Sequence, residues 1–129
     1  MRLKDLISTP PEMCGSHISI AQAAREMASA GVGSMGVIEE GRFAGIITER
    51  DVLEAVARGF DIESEPVRCC MTRNPDVFSP DTDVHRAATF LLETGYRHLP
   101  VVEDELLGIL SIRDVLVGVL DPGRVIDVQ

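Results

Sequence analysis

Hydrophobic and polar residues follow a helical period in two separate stretches of the chain. Residues 19–31 read SIAQAAREMASAG and residues 83–95 read DVHRAATFLLETG, with apolar side chains three and four positions apart in both. Ser19 and Asp83 open these stretches with side chains that cap helices, and a glycine closes each of them. The pattern therefore predicts two amphipathic helices of similar length.

Each predicted helix is followed by two short apolar runs. MGVI at 35–38 and FAGII at 43–47 are separated by polar residues and glycine, and LPVV at 99–102 and LLGIL at 106–110 are arranged in the same way. Two such runs with a short polar connection are typical of a β-hairpin. The sequence thus predicts one hairpin after each helix.

Each half of the chain has two further predicted elements, a short strand before the first helix and a second helix after the hairpin. The short runs EMC at 12–14 and DVF at 76–78 follow a proline and predict brief strands ahead of the helices. After each hairpin a helix is predicted to begin, at Glu49 in one half and at Ile112 in the other. The order strand, helix, strand, strand, helix therefore occurs twice, which predicts an α/β fold of the α+β kind.

The two series are copies of one unit. When Pro11 is aligned with Pro75, the helices and the first hairpin strands coincide, and one residue drops out at the connection between the hairpin strands, where a loop tolerates a change of length. The chain is therefore predicted to hold two pseudo-symmetric motifs, residues 1–63 and 64–129, that share one core in a single compact module. Identical residues under this alignment include Ala23 and Ala87, Ala24 and Ala88, Gly31 and Gly95, Val37 and Val101, Glu39 and Glu103, Gly45 and Gly108, Arg50 and Arg113, and Asp51 and Asp114.

The composition limits the class of partner. The chain of 129 residues is 45% hydrophobic and carries a formal net charge of −9, which predicts a folded, acidic domain with an aliphatic core. Nucleic acids and anionic membranes attract basic surfaces, so neither is an expected partner. No apolar run approaches the roughly 20 residues that cross a bilayer, and the N-terminus lacks a signal-peptide core, so the expected compartment is the cytoplasm.

Three cysteines, Cys14, Cys69 and Cys70, fit a reducing compartment. An odd number with an adjacent pair is a poor disulfide framework, so we expect small buried or half-buried side chains, and the sequence assigns them no further role. CGSH at 14–17 has the two-residue spacing of some zinc sites but lacks a second pair of ligands. No metal site is predicted.

The end of each hairpin carries a repeated motif: a glycine, two apolar residues, a Thr or Ser, two further residues and an aspartate. It reads GIITERD at Gly45–Asp51 and GILSIRD at Gly108–Asp114. A hydroxyl residue followed three positions later by an acid resembles a capping box, which is a purely structural interpretation. Against it, a capping box favours the longer Glu or Gln, and a cap requires neither the glycine nor the arginine beside the aspartate.

The other interpretation of the repeated motif is a nucleotide site. A helix N-terminus presents unpaired N–H groups that attract phosphate, and a hydroxyl there can add a hydrogen bond. An aspartate can accept hydrogen bonds from the vicinal hydroxyls of ribose. Arginine can hold phosphate, and glycine lets the backbone come close to a ligand. The motif alone leaves both interpretations open.

Together with CMTRNP at 70–75 and RHLPVV at 97–102, the repeated motif resembles the CBS domain family, of which two tandem copies form a Bateman module. The resemblance covers about residues 3–120. It implies two small sheets packed sheet to sheet, and two clefts between the copies where members of the family often bind adenosine ligands. The first copy departs from the family, since MGVI stands where an LPVV-like strand is common and LISTPPE stands where the second copy has CMTRNPD.

Carried onto this chain, the resemblance makes the two clefts unequal. In the first cleft, Thr48 and Asp51 would hold ribose and phosphate, and the second copy would lend Arg97, His98 and Arg113. These three cations lead us to expect stronger phosphate binding in the first cleft.

The second cleft would use Ser111 and Asp114 with Arg50 from the first copy. Gly33 and Ser34 occupy the positions that hold the other two cations in the first cleft, so this cleft has fewer charges for phosphate.

The adenine base would lie among apolar groups of the short strands. These are Met13 and Val37 in the first cleft, and Val77 and Val101 in the second. AMP is the leading candidate, with ATP or S-adenosylmethionine as alternatives. No cofactor is required beyond such a regulatory ligand.

The leading functional hypothesis is a regulatory module that senses an adenine nucleotide and signals to an effector protein in trans or through a homodimer interface. VLVGVL at 115–120 offers apolar residues for such an interface. The alternative is a ligand-free dimerisation or interaction module in which the repeated motif only caps helices. Enzymatic activity is not expected, because the sequence offers neither a nucleophile with a base nor paired carboxylates.

Overall fold

The computed structural model describes residues 1–123 and contains both predicted series of elements except the strand at 76–78. Short 3₁₀ helices at Leu3–Leu6 and Val67–Cys69 accompany them. The helices and strands are β1 (Met13–Gly15), α1 (Ile20–Ala30), β2 (Ser34–Glu39), β3 (Arg42–Thr48), α2 (Glu49–Ala57), β4 (Thr72–Arg73), α3 (Val84–Thr94), β5 (His98–Glu103), β6 (Glu105–Ser111) and α4 (Ile112–Leu120).

The helix ends lie where the capping residues predicted them. Ser19 caps α1 by accepting a hydrogen bond from a backbone N–H of the first turn, and Asp83 caps α3 in the same manner. Gly31 and Gly95 end these helices in the left-handed conformation, with φ of 70° and 75°. Glycine adopts this conformation without the steric cost that a Cβ imposes. The predicted bounds of both helices are confirmed.

The strands form two separate sheets. Strands β1 to β4 make a sheet in that order, with β1 parallel to β2 and the other pairs antiparallel, and β5 pairs with β6 antiparallel. The predicted hairpins are therefore β2–β3 and β5–β6. Glu40 and Gly41 connect the first hairpin with φ of 52° and 76°, whereas Asp104 alone connects the second with φ of 62°. The residue missing from the second copy thus lies in the turn, as predicted.

The predicted strand at 76–78 is wrong in extent, because only Phe78 pairs, through a single parallel bridge to Val101. The equivalent strand β1 receives a ladder hydrogen bond from the N–H of Gly36 to the carbonyl oxygen of Glu12, at 2.9 Å. The repeat places Pro100 at the position of Gly36. Proline has no N–H to donate to the carbonyl oxygen of Asp76, so the ladder does not extend from Phe78 back to Asp76.

The chain divides into two compact units that do not follow the order of the sequence. The central unit is Glu12–Pro75, and the terminal unit is Met1–Pro11 with the chain from Asp76 onward. The segment that precedes each repeat therefore belongs to the unit built by the other repeat. The division at residues 63 and 64 describes the sequence repeat and stays a prediction as a domain boundary.

Each unit has its own apolar core. In the terminal unit Leu3 is fully buried, and its N–H donates to the carbonyl oxygen of Thr82 at 2.9 Å. Val67 is its counterpart in the central unit, fully buried with its N–H donating to Ile18 at 2.8 Å. The buried core of the terminal unit is Leu3, Leu6, Val84, Ala87, Leu91, Leu99, Val101, Leu110 and Val115, and that of the central unit is Cys14, Ala23, Met27, Met35, Val37, Ile47, Val67 and Met71.

Within residues 1–123, no helix combines the length and the apolar character that a membrane-spanning helix needs.

The glycines that open the two copies of the repeated motif should respond differently to substitution by alanine. A Cβ at Gly45 would overlap the backbone carbonyl of Thr72, whereas a Cβ at Gly108 would meet only the side chain of Ile7, at 3.3 Å. Overpacking against backbone costs about 1–3 kcal/mol. We expect Gly45→Ala to lower the free energy of unfolding by about 2 kcal/mol and Gly108→Ala by about half of that or less, because a side chain can move aside. Urea denaturation of both variants checks this, and an equal or larger effect at Gly108 would contradict it.

Candidate functional site

Both copies of the repeated motif connect a strand to the start of a helix and form a complete capping box. At the start of α2, the hydroxyl oxygen of Thr48 accepts a hydrogen bond from the N–H of Asp51 at 3.1 Å, and Oδ2 of Asp51 accepts one from the N–H of Thr48 at 2.9 Å. Ser111 and Asp114 make the same two hydrogen bonds at the start of α4, at 3.1 and 2.9 Å. The preference of capping boxes for Glu or Gln thus does not exclude this role here, because both aspartate carboxylates reach the backbone.

Asp51 has a further partner that the sequence analysis missed. The hydroxyl of Thr72, on β4, lies 3.3 Å from Oδ1 and 3.4 Å from Oδ2 of Asp51. Thr72 belongs to the CMTRNP stretch that contributed to the family resemblance, but nothing in its spacing indicated a contact with the repeated motif. The contact follows from the pairing of β4 with β3, in which Ile46 is opposite Thr72.

The glycine of the repeated motif has a structural role in the central unit. Gly45 is opposite Arg73 in the β3–β4 pair, and no side chain fits at Gly45 without displacing the backbone of Thr72. Arg73 also spans the sheet to Glu39 on β2, with Nη1 to Oε1 at 2.6 Å and Nη2 to Oε2 at 3.1 Å. At Gly45, the close approach that the nucleotide-site interpretation attributes to a ligand is therefore made by β4.

The carboxyl group of Asp51 lies in an environment that resists ionisation. Burial raises the pKa of Asp51 above the ordinary value of an aspartate, and hydrogen bonds from Thr48 and Thr72 offset only part of the rise. Ionised Asp51 therefore costs folding free energy at neutral pH, and the cost disappears as the pH falls through the raised pKa toward the ordinary value. A carboxylate held in this way retains unused acceptor capacity for a ligand.

The second copy of the motif differs in its immediate surroundings. Asp114 is only 6% exposed, and its Oδ2 also accepts a hydrogen bond from the hydroxyl of Ser111 at 2.9 Å. His98 is opposite Ser111 in the β5–β6 pair, and the carbonyl oxygen of Arg97 accepts a hydrogen bond from the N–H of Ile112 at 2.8 Å. Within the terminal unit, these residues thus lie around the start of α4.

The predicted cationic residues are placed separately in the two units. In the central unit Arg50 is exposed on α2, where its Nε is 3.3 Å from Oε1 of Glu54 in the next turn. In the terminal unit Arg97 and Arg113 are exposed and His98 is half-buried. Their predicted approach to a common ligand across the two copies stays a prediction.

The four predicted base-lining residues differ in exposure. Val37 and Val101 are fully buried in the cores of their units. Met13 is half-buried on β1, and Val77 is exposed beside the bridge residue Phe78. Met13 and Val77 therefore retain accessible surface, whereas Val37 and Val101 have none.

The cysteines follow the expectation only in part. Cys14 is buried and Cys70 is half-buried, and burial raises the pKa of both thiols to about 11. Cys69 is exposed, which the sequence analysis did not predict.

Comparison with known proteins places this geometry in a family. The sequence model of the CBS domain matches residues 3–58 and 67–121. An uncharacterized 17.7 kDa protein of Acidianus ambivalens is 38% identical over 123 residues, which are 93% of this chain and 74% of that protein. The chain spans between 14% and 74% of the length of the first two curated relatives that it matches.

Among the solved structures that share the fold, some are complexes with adenosine ligands. A CBS domain protein from Pyrobaculum aerophilum, in complex with AMP, is 31% identical with a TM-score of 0.78 over 88% of this chain and 89% of that one. The CBS domain pair of another protein, in complex with 5-methylthioadenosine and S-adenosyl-L-methionine, is 28% identical with a TM-score of 0.80 over 90% of this chain and 93% of that one.

Two aspartates at helix starts should titrate in opposite directions from the ordinary value. The pKa of Asp51 is raised by burial, and the pKa of Asp83 is lowered by the backbone N–H of His85. A titration of the carboxyl carbons by NMR should therefore show Asp51 releasing its proton at a higher pH than Asp83. Asp51 titrating at or below the pH of Asp83 would contradict the described environment.

Proposed function

Because the chain belongs to the CBS domain family and carries the domain twice in tandem, we propose that it is a regulatory module that binds an adenine nucleotide. The observation that carries this proposal is the cluster of Thr48, Asp51 and Thr72 at the start of α2. A half-buried carboxylate with free acceptor capacity beside two hydroxyls can accept hydrogen bonds from the two hydroxyls of ribose. The same helix start favours a phosphate oxygen.

The ligands of the related structures narrow the expected chemistry. AMP, 5-methylthioadenosine and S-adenosyl-L-methionine were each found in complex with a relative, and all three share adenosine. Asp51 would accept hydrogen bonds from the ribose common to these molecules, while Met13 would contact the base. The cations Arg97, His98 and Arg113 would bind the phosphate of AMP, our leading candidate, and this contact would distinguish AMP from the other two ligands. The site at Asp114 would bind phosphate less well, because it would receive Arg50 alone where the first site would receive three cations.

Regulation would follow from linkage between the ligand and the arrangement of the module. A ligand that binds one arrangement better than another shifts the population toward it, and by no more than the difference in affinity. We propose that the shifted population is read by an effector protein in trans or by a second copy of the chain.

One observation favours the alternative, a ligand-free interaction module. The capping boxes at Thr48 and Ser111 are complete, so hydrogen bonding within the chain accounts for the hydroxyl and the aspartate of the motif. A comparison of two cap variants separates the two functions, because only one of the caps belongs to the proposed site.

Thermal unfolding with and without ligand tests the proposed function. AMP at 100 times its dissociation constant should add about 2.7 kcal/mol of stability, or about ten degrees for a domain of this size. We expect Asp51→Ala to abolish this shift. Ser19→Ala removes a cap of similar strength, about 1 kcal/mol, from α1 of the same unit and should leave the shift intact. ATP, 5-methylthioadenosine and S-adenosyl-L-methionine are tested in parallel.

Two outcomes of this experiment oppose the proposal. A shift that survives in Asp51→Ala would move the site away from the repeated motif. No shift of the wild-type chain with any of the four ligands would favour the interaction module.

We also propose that the chain associates with a second copy through α2 and α4. Leu53 and Leu116 are equivalent in the repeat and are 67% and 43% exposed, and Val56 and Leu120 extend the apolar surface on the same helices. Exposed apolar patches of this kind mark interaction sites. Equivalent patches on both repeats suit a symmetric partner.

Light scattering of the purified chain checks the association. We expect a dimer that Leu53→Asp combined with Leu116→Asp converts to a monomer, because a buried unpaired charge is costly. Leu92→Asp is the matched control, since Leu92 is 77% exposed but lies on α3. A wild-type monomer at all concentrations would exclude the interface, and equal disruption by Leu92→Asp would relocate it.

A further inference from the structure

We propose that Thr72 is a positioning residue for ligand binding, whose hydroxyl orients the carboxylate of Asp51 toward the ribose hydroxyls. The inference rests on the proposed function and adds to it a residue outside the repeated motif. Its basis is the placement of one hydroxyl within 3.3 Å of Oδ1 and 3.4 Å of Oδ2 of Asp51.

A hydrogen bond to one oxygen does not by itself fix the orientation of the carboxylate plane. The N–H of Thr48 holds Oδ2 of Asp51 at 2.9 Å, but the terminal torsion of an aspartate is broad and lets the plane of the carboxylate turn about that contact. A donor shared by both oxygens opposes this rotation. Thr72 is placed to do so, since its hydroxyl is nearly equidistant from the two oxygens. Fixing the plane before the ligand arrives reduces the ordering that binding would otherwise require.

The position of Thr72 is itself held on both sides along the chain. Ahead of it, Val67 is fully buried and Met71 is buried in the core of the central unit. After it, Arg73 is tied to Glu39 by two hydrogen bonds. Strand β4 is thereby fixed against β3, so the hydroxyl of Thr72 is held by the sheet and not by a mobile loop.

The contact has little value for folding alone. The side chain of Thr72 is exposed, and a hydrogen bond that water can replace contributes little net stability. A strand as short as β4 places weak demands on residue type, and valine retains the branching at Cβ that strands favour. Removing only the hydroxyl should therefore affect the orientation of Asp51 much more than the fold.

Thr72→Val and Thr72→Ser test the inference, because valine matches threonine in size but lacks the hydroxyl, whereas serine keeps the hydroxyl and lacks only the methyl group. Calorimetric titration with AMP should show Thr72→Val binding about tenfold more weakly, as the loss of a hydrogen bond to a charged group implies. Thr72→Ser should bind within about twofold of the wild type. Thr89→Val removes a hydroxyl bonded within α3 at 3.0 Å and serves as the control with unchanged affinity.

A second measurement does not depend on any ligand. The hydrogen bond from Thr72 lowers the pKa of Asp51 against the effect of burial. NMR titration should therefore show a higher pKa of Asp51 in Thr72→Val than in the wild type, and an unchanged pKa in Thr72→Ser. As AMP needs the ionised carboxylate, binding by Thr72→Val should be lost at a higher pH on acidification.

The outcomes separate this inference from the proposed function. Wild-type affinity in Thr72→Val, or equal weakening by Thr72→Ser, would overturn the positioning role while the ligand site stands. Failure of the wild-type chain to bind AMP or 5-methylthioadenosine would overturn the proposed function and the ligand role of Thr72 with it. If Thr72→Val does not fold, Thr72→Ala replaces it in the same comparison.

Discussion

Burial of two short lead segments, around Leu3 and Val67, determines how both halves of the molecule are completed. Each side chain is fully buried in the unit formed by the other repeat, so neither core can be assembled from one repeat alone. The segment around Val67 continues directly into β4, which approaches β3 closely only because Gly45 lacks a side chain. That approach sets Thr72 against Asp51. The environment of the candidate site is thus a consequence of apolar burial several residues away.

Helix capping and ligand binding need not compete for Asp51. An ionised carboxylate has about four acceptor positions, and the described hydrogen bonds come from only two residues, Thr48 and Thr72. Asp114 accepts both the N–H and the hydroxyl of Ser111 and is more deeply buried. Both aspartates therefore close capping boxes, and the half-buried carboxylate of Asp51 also keeps acceptor positions that a ligand can reach.

Local rules predicted the elements well, because capping residues, glycine stops and apolar periods act over a few positions. The helices after Ser19 and Asp83 and both hairpins are confirmed. The strand at 76–78 failed because Pro100, distant in sequence, withholds one N–H. Thr72 was missed for a related reason, since no periodicity in the sequence records which segment pairs with β3. The burial of each lead segment in the unit of the other repeat likewise depends on packing between residues that are far apart in the sequence.

The division of units imposes an order on synthesis. The central unit is one continuous stretch, Glu12–Pro75, so all of its core is available once that stretch has left the ribosome. The terminal unit unites Met1–Pro11 with residues that are synthesised only after the central unit, which gives it a high contact order and slower folding. Until those residues are available, Leu3 and Leu6 lack the apolar partners that bury them in the folded unit. The central unit can therefore complete its core before the apolar side chains of Met1–Pro11 are buried.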